Sequence, residues 1–97
     1  MKILLVCAGG LSSSIVMKKV RRYGEEIGEE VVIDAVGVAE VSDVWNKYDC
    51  ILTAPQVRNR FNQIKETAGI PVAAMPPQDY AIGNAANIVK LAKSLIK

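Results

Sequence analysis

The chain has 97 residues, with 12 Lys and Arg against 10 Asp and Glu, no His, two Cys and 51% hydrophobic residues, few of them aromatic. That length supports one core and excludes two, so residues 1–97 are expected to form a single domain. A net charge of +2 from scattered Lys and Arg gives no basic stripe for binding nucleic acid, and the lack of His removes Ser-His and Cys-His catalysis and most zinc sites.

Lys2 to Val6 reads as a short, fully buried strand closed by Gly9-Gly10. This run falls short of the roughly 7–15 apolar residues of a secretory core and the about 20 of a spanning helix. With two cysteines far apart in sequence and no export signal, a cytoplasmic protein without direct membrane insertion is expected. From Ser13 the period changes to helical, with Val16, Val20, Tyr23 and Ile27 on one face, and Gly28 stops the helix.

Val31 to Val36 is the second strand, followed by a short helix marked by Val41, Val44, Trp45 and Tyr48 that Ser42 or Asp43 starts. Asp49 to Ala54 is the third strand, ended by Pro55. Val57, Phe61, Ile64 and Ala68 line the next helix, and Gly69 ends it before a fourth strand at Ile70 to Met75. Pro76-Pro77 breaks that strand. Ile82, Ala85, Ala86, Val89, Ala92 and Ile96 then line one C-terminal helix.

Strict strand–helix alternation with right-handed crossovers implies an α/β fold, a single four-stranded parallel sheet with helices on both faces. Order 2-1-3-4 is the simplest arrangement, flavodoxin-like and similar in topology to the low-molecular-weight tyrosine phosphatases. Ligands of such sheets sit outside the carboxyl ends of the strands at the switch point, here beside Cys7.

The loop Cys7-Ala8-Gly9-Gly10-Leu11-Ser12-Ser13-Ser14 suits an anion. Two glycines let successive N–H groups converge, three serines add hydroxyls and a cap, and the helix start adds partial positive charge. The same features favour a thiolate at Cys7, which attacks phosphorus without a general base. Cys50 lies inside an apolar run and reads as core. No metal or cofactor is implied. The loop lacks the Lys of a phosphate-binding Walker motif. A cysteine-dependent phosphatase needs Arg six residues after its cysteine, where this chain has Ser13. A site without that clamp suits a carrier better than a hydrolase.

These residues resemble the IIB phosphocarriers of the bacterial sugar phosphotransferase system, lactose/cellobiose branch (type 3), over essentially the whole chain. The resemblance rests on residues 1–14, on Ala54-Pro55-Gln56-Val57-Arg58 and on Asp79-Tyr80. It implies that Cys7 takes a phosphoryl group from a phosphohistidine of a IIA component. The group then goes to a sugar carried by the IIC permease, with cellobiose or chitobiose as the expected β-linked disaccharide. It further implies that residues 8–14 bind the phosphoryl group. Pro55, Val57, Arg58, Asp79 and Tyr80 are the candidates for the site rim or partner contacts; Asp79 is also expected to cap the last helix. The competing readings are a phosphatase or arsenate-reductase-like hydrolase on the same fold and a flavin or nucleotide binder. The second leaves Cys7 without a role.

Overall fold

The computed structural model describes residues 1–8 and 12–96. Strands β1 (Lys2–Cys7), β2 (Val32–Gly37), β3 (Cys50–Thr53) and β4 (Val72–Ala74) alternate with helical segments. These include α1 (Ser12–Glu26), α2 (Val41–Val44), α3 (Phe61–Thr67), α4 (Pro77–Ile82) and α5 (Ala85–Leu95). The strands form one parallel sheet in the order β2-β1-β3-β4, as expected.

The pleat of β1 divides the core in two. Ile3, Leu5 and Cys7 face α1 and α5, meeting Val16, Val20, Ile88, Val89 and Ala92. Leu4 and Val6 face the opposite side, packing with Val41, Ile51, Val57 and Ile64. A strand flanked by neighbours and covered on both faces must be apolar at every position, and β1 is buried from Ile3 to Cys7. Each Leu or Ile buried there stabilises the fold by about 1.5–3 kcal/mol relative to exposure. At the edge, Arg21 Nη2 donates to the Ile33 carbonyl at 2.8 Å, and the Tyr48 hydroxyl donates to Asp34 Oδ2 at 2.9 Å. These bonds tie the exposed margin of β2 to the segments on either side.

The helices depart from the sequence pattern at several places. The C-terminal helix is two helices, because Gly83 takes a left-handed conformation (φ 64°) and stops α4. Its N–H turns back to the carbonyls of Asp79 and Tyr80, the usual way a chain closes a helix with glycine. Asn84 then caps α5, its side chain accepting from the Asn87 N–H at 3.2 Å, so the expected cap at Asp79 is corrected. Pro76-Pro77 ends a strand and also starts a helix, since Pro77 occupies the first turn of α4, where a missing N–H costs nothing.

The second helical segment is a 3-10 turn (Val38–Glu40), the single turn α2 and another 3-10 turn (Trp45–Lys47). It starts before Ser42 and Asp43, and no side chain caps α2. A 3-10 segment, Pro55–Arg60, likewise precedes α3. The apolar stripes are shorter than their periodicity implies: Ile27, Ile82 and Ala86 are exposed, while Ile88 is buried. Among the described residues no helix is long and apolar enough to cross a membrane.

Candidate functional site

Cys7 is the last residue of β1, at the point where the chain's strands pair to one side with β2 and to the other with β3. This is the switch point at which parallel sheets leave a crevice at their carboxyl edge. Cys7 stands opposite Gly37 in the β1–β2 register. Cys7 is 5% exposed, and its thiol directs its S–H to the Val36 carbonyl at 3.8 Å. That is a weak contact, easily exchanged for another.

A cleft of about 290 Å³ opens beside the thiol. Ser13, Ser14 and Met17 of α1 line it on one side, and Ala35, Val36, Gly37 and Glu40 on the other. Ser13 is buried and Ser14 exposed, both in the first turn of α1. The sheet end and the helix start therefore bring Cys7, Ser13 and Ser14 together. Ala8, next along, is exposed. The expectations for Gly9, Gly10, Leu11 and the Ser12 side chain lie outside the described residues.

Glu40 is the residue the sequence reading missed. The Gly37 N–H donates to its Oε1 at 3.3 Å across the 3-10 turn that follows β2. Gly followed three residues later by Glu is a signal for such a turn. It is hidden when the strand is ended at Val36 and the helix start is sought at Ser42. Glu40 supplies the one carboxylate of the described cleft lining, which contains no Lys or Arg.

The other candidate loops leave the sheet at the same edge. The Ala54 N–H donates to the Val6 carbonyl at 2.8 Å, carrying Pro55 and the 3-10 segment alongside the end of β1. Pro55 is half-buried and Arg58 exposed, whereas Val57 is only 5% exposed and packs with Leu4 and Val6. After β4, Tyr80 is buried in the same core as Cys7, and Asp79 Oδ1 accepts from the Asn87 side chain at 3.1 Å. Tyr80 also lines a cavity of about 170 Å³ with Ile15, Val16 and Lys19 of α1. Val57 and Tyr80 thus underlie the carboxyl edge, and Pro55 and Arg58 reach its surface.

The second cysteine has a different environment. Cys50 pairs with Ile3 at the far end of β1 and is fully buried. Burial, then the Asp49 carboxylate, push its thiol from an ordinary 9.0 up to about 11. Four residues of strand separate the level of Cys50 from Cys7, about 13 Å at ~3.3 Å per residue, beyond the reach of a disulfide. Among the described residues no group of His, Cys, Asp and Glu has the arrangement of a metal site.

A single cysteine at the switch point, flanked by two serines of a helix start and backed by two underlying loops, narrows the comparison with known proteins. The model of the lactose/cellobiose-specific IIB subunit of the phosphotransferase system (PTS) matches residues 2–91. The chain belongs to that family.

It is similar to the oligo-β-mannoside-specific EIIB component of Bacillus subtilis, with 31% identity over 98 residues covering 98% of this chain and 95% of that protein. It is also similar to the lactose-specific EIICB component of Staphylococcus aureus, 30% identical over 81 residues. That match covers 80% of this chain and 14% of the longer protein. Among solved structures, the cellobiose-specific phosphotransferase IIB component of Borrelia burgdorferi superposes with a TM-score of 0.83 at 30% identity, covering 99% of this chain and 91% of that one. The chain is therefore a sugar-phosphotransfer component of the lactose/cellobiose IIB type. The names of these three relatives carry three different sugars.

Proposed function

We propose that this chain is a phosphocarrier in which Cys7 accepts a phosphoryl group from a phosphohistidine of a IIA protein and gives it to a sugar held by a IIC permease. The observation that carries this reading is the placement of Cys7. It is a thiol at the end of a central strand, beside Ser13 and Ser14 in the first turn of α1. The family membership supports phosphotransfer, and the staphylococcal EIICB relative supports a IIC partner.

In the first step the Cys7 thiolate attacks phosphorus in line with the phosphohistidine P–N bond. The P–S bond forms, the P–N bond breaks, and the imidazole nitrogen leaves with the electron pair. In the second step a sugar hydroxyl oxygen attacks phosphorus, the P–S bond breaks and the thiolate is regenerated; the hydroxyl proton is lost to a base on the permease side. Both steps need alignment and charge stabilisation more than acid–base groups, which suits a chain without His. Residues 8–14 bind the phosphoryl oxygens, with Ser13 and Ser14 as the hydroxyls beside the thiol. Pro55 and Arg58 form the partner-facing rim, with Val57, Asp79 and Tyr80 supporting it from beneath.

Residues 1–97 act as one IIB domain in the cytoplasm, where the IIA donor and the inner face of the permease meet. The sugar is a β-linked disaccharide such as cellobiose or chitobiose, selected by the permease. A hydrolytic role is disfavoured by Ser13, which stands where a phosphatase would clamp the phosphoryl group with Arg. The test is sugar-phosphate formation in membranes carrying IIC and supplied with phosphorylated IIA. Cys7→Ser is expected to abolish the product while leaving the circular dichroism spectrum unchanged. Product formed at the wild-type rate by that variant would overturn the reading.

A further inference from the structure

Among the described residues, the cleft beside Cys7 has a charge of the wrong sign for holding phosphate. Its described lining contains no Lys or Arg, and its one ionisable oxygen group is the Glu40 carboxylate. This carboxylate belongs to an exposed residue and is oriented by one hydrogen bond. The Gly37 N–H donates to Oε1 at 3.3 Å, and Gly37 is the direct β-pair of Cys7. With adjacent strands about 4.8 Å apart, the carboxylate lies within roughly 10 Å of the thiol. At that range a negative charge acts measurably on a phosphoryl dianion, least screened at low ionic strength.

We infer that Glu40 keeps phospho-Cys7 a high-energy, easily discharged species. The inference rests on the carrier reading of Cys7. A carrier fails if it binds its phosphoryl group too well, because stabilising the loaded state raises the barrier to delivery. Repulsion from Glu40 raises the energy of the dianion on sulfur, so the transfer equilibrium shifts toward the partners on both sides. The Ser13 and Ser14 hydroxyls beside the thiol still serve to align the group for in-line attack. A phosphatase-type cleft does the opposite, with a guanidinium that holds the anion.

The experiment measures the equilibrium between phosphorylated IIA protein and this chain, by 31P NMR, for the wild type, Glu40→Gln and Glu40→Lys. Gln keeps the shape and a carbonyl that accepts from the Gly37 N–H, so the turn is retained. Thermal unfolding confirms that each variant is folded. The fraction of phospho-Cys7 is expected to rise in the order Glu, Gln, Lys, with a gain of roughly three- to tenfold in the equilibrium constant for Gln at low salt, shrinking as salt is added. Constants that stay flat or fall in both folded variants would overturn the inference. Wild-type protein that remains unphosphorylated beside phosphorylated IIA would instead overturn the carrier reading on which it rests.

Discussion

Cys50 stands opposite Ile3, not opposite Cys7, so the two thiols occupy opposite ends of adjoining central strands. One ends β1 beside a cleft formed with the first turn of α1. The other is enclosed on every side by the core that supports it. Their surroundings separate accordingly: Cys7 lines a cleft, and Cys50 is held as a neutral thiol by burial and by the Asp49 carboxylate.

This separation predicts an alkaline stability loss traceable to Cys50. Its native pKa of about 11 lies above the ordinary 9.0. Below pH 9 both folded and unfolded states keep the proton and stability is full. Between the two values the unfolded chain releases its proton while the native chain retains it, so stability falls as pH rises. The two-unit gap corresponds to about 2–3 kcal/mol. Tyr48, also raised by burial and its bond to Asp34, adds loss in the same direction. Denaturant titrations of the wild type and Cys50→Ala isolate the cysteine, and the variant is expected to show a shallower decline.

Thr53 presents a buried cost next to the site. Its side chain is fully buried, and among the described residues its Oγ1 has no hydrogen-bond partner. It lies on the face shared with Leu4 and Val6, one strand from the Cys7 edge. A buried hydroxyl without a partner costs about 1–3 kcal/mol. Thr53→Val is therefore expected to stabilise the fold by about 1 kcal/mol, as an upward shift of the urea midpoint with an unchanged slope.

Gly83 is required by its backbone. At φ 64° an L residue is strained, and a Cβ there would lie 2.6 Å from Lys19 Cδ, disturbing the side chain that donates to the Ile82 carbonyl at 2.9 Å. Gly83→Ala is expected to cost about 1–2 kcal/mol by chemical denaturation. The same site shows why the two C-terminal helices read as one. Ile82, Ala85, Val89, Ala92 and Ile96 keep a helical period across the break, although Ile82 turns outward, 63% exposed.

The sheet was legible because fully buried parallel strands are written as unbroken apolar runs, and because Gly-Gly, Pro55 and Pro76-Pro77 punctuate them. The position of the candidate site was legible for the same reason. Once β1 is central, Cys7 and the serines after it fall at the switch point, where the described residues Cys7, Ser13 and Ser14 line one cleft. Glu40 was not legible, since its place depends on β2 running to Gly37 and on a 3-10 turn closing immediately afterwards. Val57 reads both as part of a helix's apolar stripe and as a rim candidate, and its burial with Leu4 and Val6 favours the first; Tyr80 likewise packs in the core. Short 3-10 turns carry no periodic pattern long enough to read.

The central claim is that the phosphoryl group is carried on Cys7. Intact mass measurement and peptide mapping after incubation with phosphoenolpyruvate, the general phosphotransferase proteins and a phosphorylatable IIA protein test it most directly. The account predicts one phosphoryl group on the peptide containing Cys7, absent from the Cys7→Ser variant. A phosphoryl group mapped to any other residue, or an unmodified chain beside fully phosphorylated IIA, would contradict it.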